Sequence, residues 1–491
     1  MRHLVASFAA LALFALPFTA HAQDGKAGLE AVAKALGEPG LKSIEYNASG
    51  TIFQFGQSQA PGQAWPRFNI KSLTRSLNYE TASLKEDWVR TQALDPPRGG
   101  GVQPIRGEQR QIFVLSGEQA WAVTGDAAAA TPIALVERQT QLWITPHGVV
   151  KAALAGNAAK QGPTIAFTLP NRVPVKVTIN AQNLVERVEA TVPNAVLGDT
   201  PLEVTYSDYK DFGGVKFPTR IKQSAGGFPS LDLTVTDVKP NAAVEIAVPD
   251  TVRQDGNPYA RVATQMVADG VWYLTGGSHH SVVIEMKDHL ILVEAPLNDE
   301  RTLAVIGEAR NLVPGKPVRY VVNSHHHFDH SGGLRAAAGE GATIVTHEIN
   351  RAYFERNLTA PAKIRPDHLA KSGKKGTVEG VKDKRVLTDG TRTVEIHHIA
   401  GVLHDDGLLM VYLPKEQLLV QADTFTPVAA GTAPPMPPSP FNVGLADNIT
   451  RLGLTVDRHL PLHGRLVSMA ELNRTIGRGG PDMAPIPPVT R

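Results

Sequence analysis

Short, mostly apolar runs separated by polar turns mark the second half of the chain. Residues 281–286 and 289–293 are two such runs and predict two buried strands joined by a tight turn. Residues 299–312 carry apolar side chains near helical spacing and follow Asn298, a favourable N-cap, so they predict a helix. Residues 318–322 predict a third buried strand. This order of strand, helix and strand is typical of α/β enzymes, which place their chemistry at strand ends.

The first half of the chain has a different pattern. Between residues 23 and 255, apolar and polar residues alternate in several short segments, which predicts strands with one solvent-facing side. A short helix is predicted at residues 24–36. Residues 206–218 predict a strand, a turn and a strand, and they resemble hairpins in the curved antiparallel sheets of bacterial envelope proteins of the lipoprotein-carrier type. The other predicted strands are 50–53, 111–115, 141–144, 164–168, 175–179 and 231–235.

The first 22 residues predict a signal peptide. Residues 4–16 form an apolar run behind the basic Arg2, and residues 20–22 form a small-residue cleavage site before Gln23. A membrane span would need roughly 20 apolar residues, which is more than this run provides. We therefore expect the leader to be cleaved, no transmembrane anchor to remain, and the mature protein to be periplasmic or secreted.

A stretch containing proline and glycine at residues 248–258 predicts a linker between two domains. Residues 23–255 are the predicted β-rich N-terminal domain, whose role the sequence leaves open. Residues 256–491 are the predicted second domain, with mixed strands and helices.

Composition restricts the chemistry that the second domain can perform. The chain has 49 basic and 47 acidic side chains, and this near-balance argues against a nucleic-acid partner, which would require a clustered basic face. There is no cysteine, so any metal ion must be bound by His, Asp or Glu. Only His147 lies between residues 23 and 260, whereas 14 histidines follow residue 260. The candidate chemistry therefore lies in the second domain.

A histidine motif follows the predicted strand 318–322. It reads His-x-His-x-Asp-His, with the functional positions at His325, His327, Asp329 and His330. Alternate residues of an extended segment face the same side, so the first two histidines can share one cation. The Asp and the last His lie where the chain turns towards a helix and can reach a second cation. Imidazole and carboxylate ligands suit zinc.

The alternative is a solvent-exposed histidine run, but such a run seldom follows a buried strand and precedes two glycines. His326 is expected to face away from its two neighbours. The loop 276–280, which includes His279, is expected either to be exposed or to contact a substrate at the border of the pocket. Asp405 is expected either to form a turn or to orient His404.

The motif resembles that of the metallo-β-lactamase superfamily of αββα metallohydrolases. The resemblance implies an α+β protein whose C-terminal half is an αββα sandwich, preceded by the β-rich domain. It also implies further ligands at the ends of later strands, and His404, Asp423 and His463 are found there. In the implied assignment, Asp423 bridges two ions. The implied ligands are His325, His327 and His404 for the first ion, and Asp329, His330 and His463 for the second.

The resemblance further implies two Zn²⁺ ions, although Fe or Mn could occupy similar sites. It implies a metal-bridging hydroxide that attacks an ester, thioester, lactone or phosphoester of a small molecule, with Asp329 as the catalytic residue that orients the nucleophile. All-histidine lactamase sites normally lack the bridging residue that this chain has at Asp423. The diiron redox branch carries Glu at the position of His327, so oxygen reduction is disfavoured.

Two alternatives stay open at this point. One is a metallo-β-lactamase that hydrolyses β-lactams. The other is an envelope binding module in the N-terminal half, with a vestigial metal domain. The sequence does not identify the substrate, the native metal, the leaving-group acid or the oligomeric state.

Overall fold

The computed structural model describes residues 18–479. Most of the predicted signal peptide, residues 1–17, lies outside this range, and export therefore stays a prediction. The last part of the leader belongs to the first helix, α1 (Phe18–Leu36), which includes the helix predicted at residues 24–36. Among residues 18–479, no helix is both long and apolar enough to cross a membrane.

Within the described residues, the N-terminal domain is built on one antiparallel sheet of 13 strands. β1 lies in the interior of this sheet, between β2 and β13, and the hairpin predicted at residues 206–218 is formed by β11 and β12. The strands are β1 (Ser43–Phe53), β2 (Arg67–Asn78), β3 (Ser83–Gln92), β4 (Glu108–Ser116), β5 (Gln119–Thr124), β6 (Ala127–Ala130), β7 (Lys160–Gln161), β8 (Thr164–Thr168), β9 (Pro174–Ile179), β10 (Val185–Asn194), β11 (Gly198–Phe212), β12 (Val215–Ala225) and β13 (Phe228–Pro240).

Three helices pack on this sheet: α1, α2 (Leu135–Trp143) and α3 (Pro146–Ala155). The prediction of a strand at residues 141–144 is wrong, because this segment forms the end of α2 and the residue after it. A four-residue apolar run fits a buried strand and a buried helical turn equally well. Packing decides here, since Leu142 is fully buried in the core that the helices and the sheet share.

The elements of the predicted second domain follow the short helix α4 (Asp250–Gln254). Its first sheet has seven strands in the described part of the chain, in sequential order. The strands are β14 (Ala263–Ala268), β15 (Val271–Thr275), β16 (Ser281–Glu285), β17 (Leu290–Val293), β18 (Val318–Val322), β19 (Thr343–His347) and β20 (Thr377–Val381). The helices on its outer face are α5 (Asp299–Leu312), α6 (Phe328–Ser331), α7 (Leu334–Glu340), α8 (Glu348–Leu358) and α9 (His368–Ser372).

The second sheet of this domain has six strands among the described residues. They are β21 (Lys384–Thr388), β22 (Thr393–His398), β23 (Leu409–Leu413), β24 (Leu418–Gln421), β25 (Arg458–Pro461) and β26 (Val467–Ser468), and the helices outside them are α10 (Pro440–Arg451) and α11 (Met469–Thr475). One apolar core lies between the two sheets. A second core lies between the first sheet and its helices, and a third lies between the second sheet and its helices. This layering is the predicted αββα sandwich, preceded by a β-rich region.

Local sequence signals explain the elements nearest the site. Helix α5 has the bounds that the pattern predicts, and the Asn298 side chain accepts a hydrogen bond from the backbone N–H of Arg301 at 2.9 Å. Strand β18 runs parallel to β17 and β19, and β24 runs parallel to β25. The segments that leave β18, β24 and β25 at their carboxyl ends carry the histidine motif, Asp423 and His463, so parallel pairing brings these segments together.

Candidate metal centre

The Asp423 carboxylate lies between two groups of histidines. Its Oδ1 atom is 2.9 Å from Nε2 of His463 and 3.2 Å from Nε2 of His330. Its Oδ2 atom is 3.1 Å from Nε2 of His404 and 3.6 Å from Nε2 of His325. Each carboxylate oxygen therefore faces a different group, which is the arrangement that a ligand bridging two cations requires.

The first group is His325, His327, His404 and Asp423, whose nearest ligand atoms all lie within 4.8 Å of one another. Nε2 of His325 is 2.9 Å from Nδ1 of His327 and 3.4 Å from Nε2 of His404. These three histidines are buried. The structure thus brings together the residues that the resemblance assigns to the first ion.

The second group contains the three predicted residues Asp329, His330 and His463, and also His279. Nε2 of His330 is 2.9 Å from Nε2 of His463, and Nε2 of His279 is 3.2 Å from Oδ2 of Asp329. The loop was expected to be exposed or to contact a substrate, but His279 is 8% exposed and lies among the candidate ligands. A pair of histidines after two glycines was the only signal in the sequence.

The ring nitrogens that point away from the centre have their own partners. Nδ1 of His330 is 3.1 Å from the buried carboxylate of Glu294, and Nδ1 of His463 donates to the backbone carbonyl of Ser278 at 3.0 Å. Nδ1 of His325 is 2.9 Å from the hydroxyl of Ser324. Such partners fix the ring orientation of metal-binding histidines and raise their basicity.

The donor set fits a pair of divalent cations. Two ring nitrogens in contact, such as Nε2 of His330 and Nε2 of His463, can share only one hydrogen, whereas a cation satisfies both lone pairs. Buried imidazole nitrogens with carboxylate oxygens are ligands for zinc, and also for iron or manganese.

Two acidic residues of the centre have backbone conformations that are rare outside glycine. The φ angle of Asp423 is +61° and that of Glu294 is +77°. Left-handed backbone in non-glycine residues stores strain and concentrates at functional sites. In these conformations the Asp423 carboxylate lies between the two groups and the Glu294 carboxylate lies behind His330.

The charges within the centre separate the pKa values of its histidines. Burial alone would lower the pKa of His330 and of His463, but Asp423 raises both, that of His330 to well above its usual range. In the first group, burial lowers the pKa of His325 well below its usual range and that of His327 to about 3. The imidazoles of His325 and His327 are therefore neutral at pH 7, whereas a cation at the second group competes with protons.

Comparison with known proteins agrees with this geometry. Residues 274–469 match the sequence profile of the metallo-beta-lactamase superfamily. The C-terminal domain belongs to that superfamily. This identification confirms the predicted family and fold.

The metallo-beta-lactamase domain also aligns with individual proteins. The 2,4-dinitroanisole O-demethylase subunit alpha of Nocardioides sp. (strain JS1661) is 27% identical over 203 residues, which are 41% of this chain and 57% of that protein. Among solved structures, the metallo-beta-lactamase from Pontibacter korlensis is 17% identical and covers 44% of this chain and 98% of its own, with a TM-score of 0.34. The FIM-1 enzyme of Pseudomonas aeruginosa is 16% identical and covers 44% of this chain and 94% of its own, with a TM-score of 0.33.

The expected turn at Asp405 is present, because its Oδ1 accepts a hydrogen bond from the backbone N–H of Gly407 at 2.6 Å. Its other oxygen contacts Nδ1 of His326, instead of orienting His404, and lies 3.8 Å from Nε2 of His327. His326 lies outside the two groups around Asp423, but it is buried and its ring centroid is 5.2 Å from that of His327. The Asp405–His326 pair thus holds the motif from behind.

The N-terminal domain also reaches the metallo-beta-lactamase domain at this centre. Nε2 of Gln57 donates to Oδ1 of Asp329 at 2.8 Å, and Nε2 of His327 donates to the backbone carbonyl of Ser58 at 2.8 Å. Neither Gln57 nor Ser58 was predicted from the sequence. They lie in a loop without periodicity, more than 260 positions from the motif, so no local signal could identify them.

Proposed function

We propose that the protein is an exported dinuclear zinc hydrolase that cleaves an ester, thioester, lactone or phosphoester of a small molecule. The observation that supports this proposal most directly is the position of Asp423, with one oxygen towards His330 and His463 and the other towards His404. Membership of a superfamily of generally hydrolytic metalloenzymes supports the reaction class. The nitrogen and oxygen donor set is compatible with zinc.

Two zinc ions held in this way would supply a water of lowered pKa as nucleophile and would polarise the electrophilic centre. The protein residues determine the side from which a substrate reaches them. The side chains of Asp329 and His463 are 33% and 19% exposed, whereas those of His325 and His327 are fully buried. A substrate therefore approaches along the second group.

Asp329 is the residue best placed to orient an attacking water. Gln57 donates to Oδ1 of Asp329, so this oxygen already has a partner. Oδ2 faces His279 and His330, at 3.2 and 3.8 Å. In the proposal, Oδ2 faces the second ion and orients the water that this ion would bind.

The aligned relative favours a second candidate. That protein is named as an O-demethylase of 2,4-dinitroanisole, and the 203 aligned residues suggest that an aryl methyl ether is a candidate substrate for this chain. A β-lactam is a third substrate class to test, because the solved structures that align with the domain include metallo-beta-lactamases. Specificity depends on the residues around the site and not on the fold.

The test is a hydrolysis screen with the full-length mature protein, stripped with chelator and reloaded with Zn²⁺. The panel contains a thioester, a lactone, a phosphodiester, a carboxylic ester, nitrocefin and 2,4-dinitroanisole. His327→Ala removes a candidate ligand, and His368→Ala changes a histidine that pairs with Glu340 on the surface instead.

We expect two zinc ions per chain and turnover of one panel class that chelation abolishes, that His368→Ala retains and that His327→Ala loses. Turnover of nitrocefin alone would replace the proposal with the β-lactamase function. Unchanged metal content and turnover in His327→Ala would overturn the metal assignment.

A further inference from the structure

Two loops of the N-terminal domain lie against the candidate metal centre. The β1–β2 loop, residues 54–66, joins strands β1 and β2, and the β3–β4 loop, residues 93–107, joins strands β3 and β4. Residues 96–101 of the second loop form a cluster of proline and glycine with one arginine. The β1–β2 loop contacts the histidine motif directly, and the β3–β4 loop binds Gln57 of the β1–β2 loop.

The side chain of Gln57 is fixed at both ends of its amide. Its Oε1 accepts a hydrogen bond from the backbone N–H of Gly101 at 3.0 Å, and its Nε2 donates to Oδ1 of Asp329 at 2.8 Å. The backbone carbonyl of Gln57 also accepts from the N–H of Gly100 at 3.0 Å. Because an N–H can only be met by the amide oxygen, the orientation of the amide is determined, and its donor faces the carboxylate.

The next residue, Ser58, determines how His327 presents its ring. Its backbone carbonyl accepts from Nε2 of His327 at 2.8 Å, which keeps the hydrogen on Nε2 and directs the lone pair of Nδ1 towards His325. A metal-ligating histidine normally has such a partner at its second nitrogen. In this protein the partner comes from the other domain.

The phenylalanine inside the motif anchors the contact. The ring of Phe328 lies 5.1 Å from that of Phe55 and 6.0 Å from that of Trp65, both edge-on. Its backbone N–H donates to the carbonyl of Gly56 at 3.2 Å, and a Cβ at Gly56 would overlap the Phe328 ring. The chain between His327 and Asp329 is therefore packed against the N-terminal domain.

We propose that the N-terminal domain completes the metal centre, with Gln57 as a positioning residue that holds Asp329 for the second ion. The inference rests on the proposed function, since it assumes that Asp329 binds a metal. A one-third exposed carboxylate can rotate into water, and the Gln57 donor restricts that rotation by occupying Oδ1. Oδ2 is then left for the centre. A neutral amide does this without adding a charge that would repel a cation.

The test compares two glutamines of the same loop. Gln59 is a matched control, because its Nε2 also donates across the domain boundary to an aspartate, Oδ1 of Asp406, at 2.8 Å, but Asp406 is not a candidate ligand. Gln57→Met keeps the side-chain volume and removes the donor, whereas Gln57→Ala removes both. Gln59→Met and Gln59→Ala make the same changes at the control position.

The measurement is a Co²⁺ titration of the metal-free full-length protein, followed by visible absorption, with turnover measured separately. We expect both Gln57 variants to weaken the second Co²⁺ by about tenfold or more and to lower kcat, with the first Co²⁺ little changed. We expect both Gln59 variants to titrate like the unmodified protein. If the two glutamines only helped the domains to pack together, the Gln59 variants would lose as much affinity for the second Co²⁺ as the Gln57 variants. That result would overturn the inference.

The inference would also be overturned if Gln57→Met bound both Co²⁺ ions as tightly as the unmodified protein, because that result would show that the amide donor is not needed. Failure of the proposed function is a different result. If the unmodified protein binds two Co²⁺ ions but cleaves nothing in the panel, the substrate proposal fails, while the ranking of the variants still decides the role of Gln57.

Discussion

Oδ1 of Asp423 lies 2.9 Å from Nε2 of His463, although the two residues follow different strands of the second sheet. Because the other oxygen of this carboxylate faces His404, we expect Asp423→Ala to remove a ligand from both ions at once. The affinity for the second ion should fall by more than about 100-fold, and turnover should be lost. Metal analysis after dialysis measures this.

Asp447→Ala is the control for Asp423→Ala, since Asp447 pairs with Arg478 at the surface. It should keep both ions. Two ions bound with unchanged affinity in Asp423→Ala would contradict a bridging role.

Glu294 supports the candidate ligand His330. Its carboxylate is fully buried and receives the Nδ1 side of His330 at 3.1 Å, together with the hydroxyl of Ser324. We expect Glu294→Gln to weaken the second ion by about 10- to 100-fold, because the neutral amide supports the imidazole less well. Isothermal titration with Zn²⁺ measures this. Glu285→Gln, which alters a half-buried pair with Lys316 away from the centre, should have no such effect.

His279 is the histidine whose role the structure changes most. It lies 3.2 Å from Oδ2 of Asp329 and is buried beside His463, with ring centroids 4.1 Å apart. We expect His279→Ala to weaken the second ion by about tenfold and to leave the first unchanged. Competition titration with a chromophoric chelator resolves the two ions. Equal affinities in His279→Ala and in the surface variant His368→Ala would show that His279 is not part of the second group.

Gly100 tests the close approach of the two domains. An added Cβ would overlap Oε1 of Gln57 and would lie 2.9 Å from Nδ1 of His327. We expect Gly100→Ala to displace both side chains and to lower metal affinity and turnover together, as about 1–3 kcal/mol of overpacking is transmitted to the ligands.

Gly307→Ala is the control for the methyl group itself, because a Cβ there meets nothing within 4 Å in helix α5. Gly307→Ala should keep the metal affinity and the turnover of the unmodified protein and should raise the free energy of unfolding by about 0.5–1 kcal/mol. Full activity of Gly100→Ala would mean that the loop yields without affecting the centre.

His147 predicts how stability depends on pH in the N-terminal domain. The ring is fully buried against Phe217, and burial lowers its pKa to about 4. The unfolded chain protonates this group at about pH 6.5, so the unfolded state binds more protons between these values and stability falls as pH falls. We expect His147 alone to lower the free energy of unfolding by about 2 kcal/mol at pH 5 relative to pH 7.5.

The measurement is the free energy of unfolding by urea at both pH values, for the unmodified protein and for His147→Gln. The difference between the two proteins isolates this histidine from the other buried ones. A variant that loses as much stability as the unmodified protein between the two pH values would contradict the prediction.

Several parts of the fold could be predicted because their signals are local. Helix α5 and strand β18 follow from apolar spacing and an N-cap that act within a few residues. The segment at residues 141–144 was predicted incorrectly, since a short apolar run is consistent with both a strand and a helix. His279 was only partly predicted, because its proximity to Asp329 depends on the fold of a loop 50 positions away.

The sequence by itself determined that a nitrogen and oxygen metal site lies in the second domain. The spacing of His325, His327, Asp329 and His330 acts through the local geometry of a strand end, and no cysteine offers an alternative ligand. Only the tertiary structure decided that Gln57 and Ser58 contact this site. That contact depends on how two separately built cores pack against each other, and loop residues at such a boundary have no periodic signal in the chain.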